Sequence, residues 1–117
     1  SIGIGPFVVG PAVKRKVGTS AFSAMTINAT KWFDASWARE KGLYTEVFDS
    51  VEEMDVEIEK LATTLSDSNP QAMEGLKKIM WEGTEHWDTL LMERAVSSGK
   101  LVLSDFTRNA IEKFKSK

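Results

Sequence analysis

SVEEMDVEIEKLATTL, residues 50–65, decides the fold class. Ser50 stands three positions before Glu53, the spacing of a capping box, in which the serine hydroxyl reaches forward and the glutamate carboxylate reaches back to orphan backbone amides. Val51, Met54, Ile58, Leu61, Ala62 and Leu65 then recur at three- and four-residue intervals. That period places them on one face of an amphipathic helix.

The same punctuation continues on both sides. Asn69-Pro70 opens a helix, because asparagine caps it and proline tolerates the first helical position; Met73, Leu76 and Met80 mark its expected buried stripe. Gly83 ends or kinks it, after which Trp87, Leu90, Leu91 and Ala95 keep helical spacing as far as Gly99. Ser104-Asp105 opens a last helix through Phe106, Ala110, Ile111 and Phe114. On the N-terminal side, LYTEVF, residues 43–48, carries β-branched and aromatic residues and is expected to be a short strand, the only clear one after the opening stretch. Asp34 caps ASWAREK, and Gly42 closes it. Thr19 or Ser20 caps a helix to about Asn28, with Ala21, Ala24 and Met25 inward, and PAVKRKVG, residues 11–18, makes one or two helical turns from its proline to Gly18. The fold class expected is mainly α.

At 117 residues the chain has the length of one domain, able to bury roughly two thirds of its unfolded surface. Its 42% hydrophobic and 27% charged residues are those of an ordinary globular protein. No apolar run approaches the ~18 residues of a membrane span, and the basic triplet Lys14-Arg15-Lys16 follows the opening apolar residues instead of preceding them as in a secretory signal. The absence of cysteine removes disulfides, thiolate metal sites and cysteine nucleophiles together. A cytoplasmic location is expected. The net charge of −2 is unevenly spread: residues 46–59 hold seven acidic side chains and no basic one, and residues 108–117 hold four basic ones against Glu112. These blocks read as solvated helix faces, and the acidic total argues against nucleic acid as the main partner.

The residues that could carry chemistry are few. His86, the only histidine, stands between Glu85 and Trp87 with Asp88 beyond, and these side chains leave one helix on different bearings, so neither a metal site nor a Ser/His/Asp triad is expected. Gly3, Gly5 and Gly10 fit neither a phosphate loop nor a dinucleotide turn. Trp32, Trp37, Trp81 and Trp87 are expected in the core.

The order of these features resembles the second half of the enoyl-CoA hydratase/isomerase family, the crotonases. In that family a Leu-Gly-x-x-Pro segment leads through a glycine-rich turn into a short basic helix ending in glycine; here Ile2-Gly3-Ile4-Gly5-Pro6 leads to AVKRKVG. The family pattern Ala-x-x-x-Gly-Leu-Val-x-x-Val is matched by AREKGLYTEVF, with Ala38, Gly42, Leu43 and Val47 in place and Tyr44 where valine is usual. NPQAMEGLKKIM and RNAIEKFKSK are similar to the amphipathic helices and basic end that follow. The family's turn commonly holds Gly-Gly-Thr, whereas this chain has Val8-Val9-Gly10-Pro11 and is one residue shorter between Pro6 and Gly18.

The resemblance implies a fold that is α+β in the full protein: residues 1–49 would end a spiral of ββα turns, and residues 50–117 would form a helical region that mediates trimer or hexamer formation. It implies addition of water to the 2,3 double bond of an enoyl-CoA thioester, with coenzyme A carried by the substrate and no further cofactor. Isomerase, CoA hydrolase, decarboxylase and dehydratase are sister activities left open by the altered turn. The family's oxyanion amides and paired glutamates belong upstream of Ser1, so no catalytic residue and no metal ligand is expected in this chain. Pro6, Phe7 and Val8 correspond to the stretch bordering the acyl pocket, and Lys113 to a lysine that helps hold the CoA nucleotide of a neighbouring subunit. The rival expectation is a helical interaction module with no enzyme attached; a small anion-binding domain using the basic tail is a third.

Overall fold

The computed structural model describes residues 2–116, and among them there are six helices and no β-strand. The chain falls into two compact units, one of Ser1–Thr45 with Trp87–Lys117 and one of Glu46–His86. This grouping by proximity joins the first residues with the last two helices, whereas the boundary expected at 49/50 follows the family's division into core and helical region.

In the first unit, α1 (Gly10–Ile27) is two helical pieces joined at Gly18, whose φ of 76° and ψ of 168° are not helical. The basic turn and the helix read separately from the sequence are therefore consecutive pieces of α1 with a kink at Gly18, where glycine was expected to end the first. Ala21 is buried at 7% exposure and Met25 half-buried, but Ala24 is exposed. α2 (Ala35–Glu40) starts on Asp34, whose Oδ1 accepts from the Trp37 amide at 2.7 Å. It ends in a Schellman motif: the Leu43 amide donates to the Ala38 carbonyl at 2.8 Å and the Gly42 amide to that of Arg39 at 3.0 Å, with Gly42 at φ 77°. A left-handed residue after the last turn is what glycine supplies at no steric cost. The Phe33 and Trp37 rings meet with centroids 4.1 Å apart.

In the same unit α5 (Trp87–Val102) runs through Gly99 rather than stopping there, and packs on α6 (Asp105–Lys115). Glycine inside a helix costs about 1 kcal/mol relative to alanine, too little to break a helix already in progress. Ser104 marks the real boundary: its Oγ accepts from the Thr107 amide at 3.3 Å and donates to the Leu101 carbonyl at 2.7 Å. Thr107 is fully buried, with Oγ1 3.2 Å from Ser104 Oγ.

The second unit holds α3 (Val51–Ser66) and α4 (Pro70–Met80), which do not pack on each other. Ser50 Oγ accepts from the Glu53 amide at 3.1 Å, the forward half of the expected box. Asn69 Oδ1 accepts from the amides of Gln71 at 2.9 Å and Ala72 at 3.2 Å, with Pro70 in the first turn. Both helices begin where their caps were read.

The expected burial is not met. Val51, Met54, Ile58, Leu61 and Leu65 are all exposed on α3, as are Leu76 and Met80 on α4, while Met73 of the expected stripe is half-buried. Trp32 and Trp81 are exposed as well, at 95% and 53%, while Trp37 and Trp87 are half-buried. An amphipathic pattern specifies a face that wants cover; it does not say that the same chain supplies the cover. Residues 43–48, expected as a strand, are bends followed by irregular backbone. A strand exists only through hydrogen bonds to a neighbour, and no strand is present among the described residues to pair with it.

Candidate functional site

Residues 3–9 build a compact corner. The Phe7 amide donates to the Gly5 carbonyl at 2.8 Å, closing a three-residue turn around Pro6, and the Phe7 ring folds back so far that a Cβ on Gly5 would lie 2.7 Å from its Cζ. Gly3 approaches the start of α6 equally closely: a Cβ there would lie 2.5 Å from Phe106 Cδ1 and 3.0 Å from Thr107 Oγ1. Gly10 sits under the Phe22 ring, 3.1 Å from its Cζ by the same measure. Small residues are needed because backbone and rings share the space.

Between this corner and α1 lies an open cleft of about 530 Å³, walled by Gly3, Ile4, Gly5 and Pro6 on one side and by Val9, Val13, Phe22 and Met25 on the other, with Thr26 and Ala29 at its end. Its volume is in the range that accommodates small ligands. The Thr26 hydroxyl donates to the Phe22 carbonyl of its own helix at 3.0 Å, so it is committed. No ionisable side chain lines the cleft. It can hold an apolar group by burial, and it offers nothing that could activate water or move a proton.

A second, shallower depression of about 400 Å³ is lined by Phe7 together with Arg94, Ser97, Lys100 and Leu101 of α5. The Ser97 hydroxyl donates to the Glu93 carbonyl at 3.1 Å, leaving two cations and an aromatic ring as its character.

Of the residues expected to border substrate, Pro6 lines the apolar cleft and Phe7 the cationic depression, while Val8 is 44% exposed and lines neither. Lys113 is exposed in the last turn of α6 and lines neither. The residues missed from the sequence are Val13, Phe22 and Met25 as one wall and Arg94 and Lys100 as the cationic pair. Arg94, Ser97 and Leu101 stand at i, i+3 and i+7, a helix-face spacing visible in the sequence; that Phe7 comes to them is a long-range fact.

His86 is exposed in the turn before α5, and Glu85 beside it accepts from the Gly83 amide at 3.0 Å. Among the described residues no group of three or more His, Asp or Glu side chains converges as a metal site. No described helix is long and apolar enough to cross a membrane. Comparison with protein-family models, with curated protein sequences and with solved structures finds no match to this chain.

Proposed function

We propose that this chain is the C-terminal part of an enoyl-CoA hydratase/isomerase-like enzyme and contributes a wall of the acyl site and contacts between subunits. The observation that carries the reading is Pro6: of Pro6, Phe7 and Val8, which resemble the family's acyl-pocket border, Pro6 lines the apolar cleft and Phe7 the cationic depression. The wall holds an acyl chain by excluding water, at roughly 25 cal/mol per Å² of apolar surface covered. The cationic depression beside Phe7 suits the phosphates of coenzyme A, at the level of charge alone. The water-activating groups belong to the part of the enzyme upstream of Ser1, and the homo-oligomer supplies cover for the exposed helices.

The uncovered faces of α3 and α4 also support the second reading, a helical interaction module without an enzyme. Purified residues 1–117 mixed with a short enoyl-CoA separate part of this question. The loss of conjugated-thioester absorbance stays at background when the catalytic groups lie elsewhere. Turnover clearly above background overturns the assignment of those groups to the upstream part.

A further inference from the structure

The turn at residues 5–7 separates two hollows of opposite chemistry, both within the unit of Ser1–Thr45 with Trp87–Lys117. Gly5 and Pro6 line the apolar cleft, which has no ionisable side chain in its walls. Phe7 lines the depression on α5 that holds Arg94 and Lys100. The Phe7 ring lies directly on Gly5, where a Cβ would come within 2.7 Å of its Cζ, so the two hollows share this turn as a wall.

The cations on the far side of that wall lack anions. Arg94 is half-buried and Lys100 exposed, and among the described residues neither forms an ion pair. A charge partly withdrawn from water is stabilised by a counter-charge that makes hydrogen bonds to it, and the chain supplies none to Arg94. At about 100° per residue, Arg94 and Leu101 leave α5 within about 20° of each other, so the guanidinium stands over an apolar floor next to the Phe7 ring.

A ligand that uses both hollows has an apolar part and an anionic part joined directly, because only one turn of backbone lies between them. Charge alone admits phosphate as well as carboxylate beside Arg94; placement separates the two. In a coenzyme A thioester the pantetheine arm holds the phosphates well away from the acyl chain, whereas in a free acid the carboxylate is the end of the chain. The planar fork of an arginine also matches a planar carboxylate. We propose that this corner binds a free carboxylic acid with an unbranched alkyl chain, the chain in the cleft and the carboxylate on Arg94, with Lys100 at the rim. The proposal rests on the two hollows and not on the enoyl-CoA reading, which stands or falls on its own turnover assay.

The test is calorimetric titration of the full chain with hexanoate, octanoate and decanoate. One carboxylate binds per chain, with affinity rising about fourfold per added methylene. Decanol, which has the chain without the charge, binds at least about tenfold more weakly than decanoate. Arg94→Gln lowers decanoate affinity about tenfold and leaves that of decanol unchanged, while Met25→Gln, in the cleft wall, weakens both. Circular dichroism checks the helicity of each variant. Lys100→Gln, at an exposed position, gives a second reading of the charge: it weakens decanoate about twofold and spares decanol. Absence of decanoate binding up to about 1 mM, decanol binding as tightly as decanoate, or an Arg94 variant with parental affinity for decanoate overturns the proposal. Decyl phosphate or coenzyme A that displaces decanoate at a lower concentration than decanoate itself requires assigns the cations to phosphate, and likewise overturns it.

Discussion

Gly18 and Gly75 are both glycines in open space, with no atom placed to meet an added Cβ within 4 Å, yet replacing them has opposite consequences. Gly18 holds φ 76° and ψ 168° at the kink of α1, a region almost closed to residues with a Cβ and costing about 1–3 kcal/mol to occupy. Gly18→Ala therefore straightens or frays α1 and lowers helicity in circular dichroism. Gly75 lies inside α4 with no positive φ, and Gly75→Ala raises helicity by removing a penalty of about 1 kcal/mol. A Gly18 variant as helical as the parent would show that the kink is not imposed by backbone conformation at that residue.

Among the elements, the starts of α2, α3, α4 and α6 were legible because a cap is local, whereas α1 starts at Gly10 with no side-chain cap instead of restarting on Thr19 or Ser20. Asp34, Ser50, Asn69 and Ser104 each accept from an amide two or three residues ahead, and nothing distant enters that bond. Ser50→Ala and Asn69→Ala each remove such a bond and cost their helix about 1 kcal/mol, which amide hydrogen exchange reads as faster exchange in the first turns of α3 and α4 respectively. Unchanged protection in those turns would count against the caps. What the sequence could not supply was the identity of the neighbour. The period of Val51, Met54, Ile58 and Leu65 announces a face, and the composition of residues 43–48 announces a strand, but burial and pairing are properties of two elements together. In the candidate site the same division holds: Pro6 could be read as a cleft wall from its motif, while Val13, Phe22 and Met25 opposite it depend on how α1 folds back over the corner.

At the scale of the whole molecule, the buried apolar side chains among the described residues are Ala21 and Ala38, a small core to set against the conformational entropy of the chain. A partner that binds only the folded form adds to stability by mass action. With the proposed homo-oligomer, the thermal midpoint of the purified chain rises with protein concentration. A midpoint independent of concentration would mean that the chain is stable alone. In the functional reading proposed above, the neighbours of this chain include the part of the enzyme that holds the catalytic glutamates. The most direct measurement is the nucleotide sequence upstream of the codon for Ser1. The account predicts an open frame continuing for about a hundred codons or more, the bulk of a typical domain, with a glutamate codon a few positions before Ser1. A stop codon immediately upstream and in frame would contradict it.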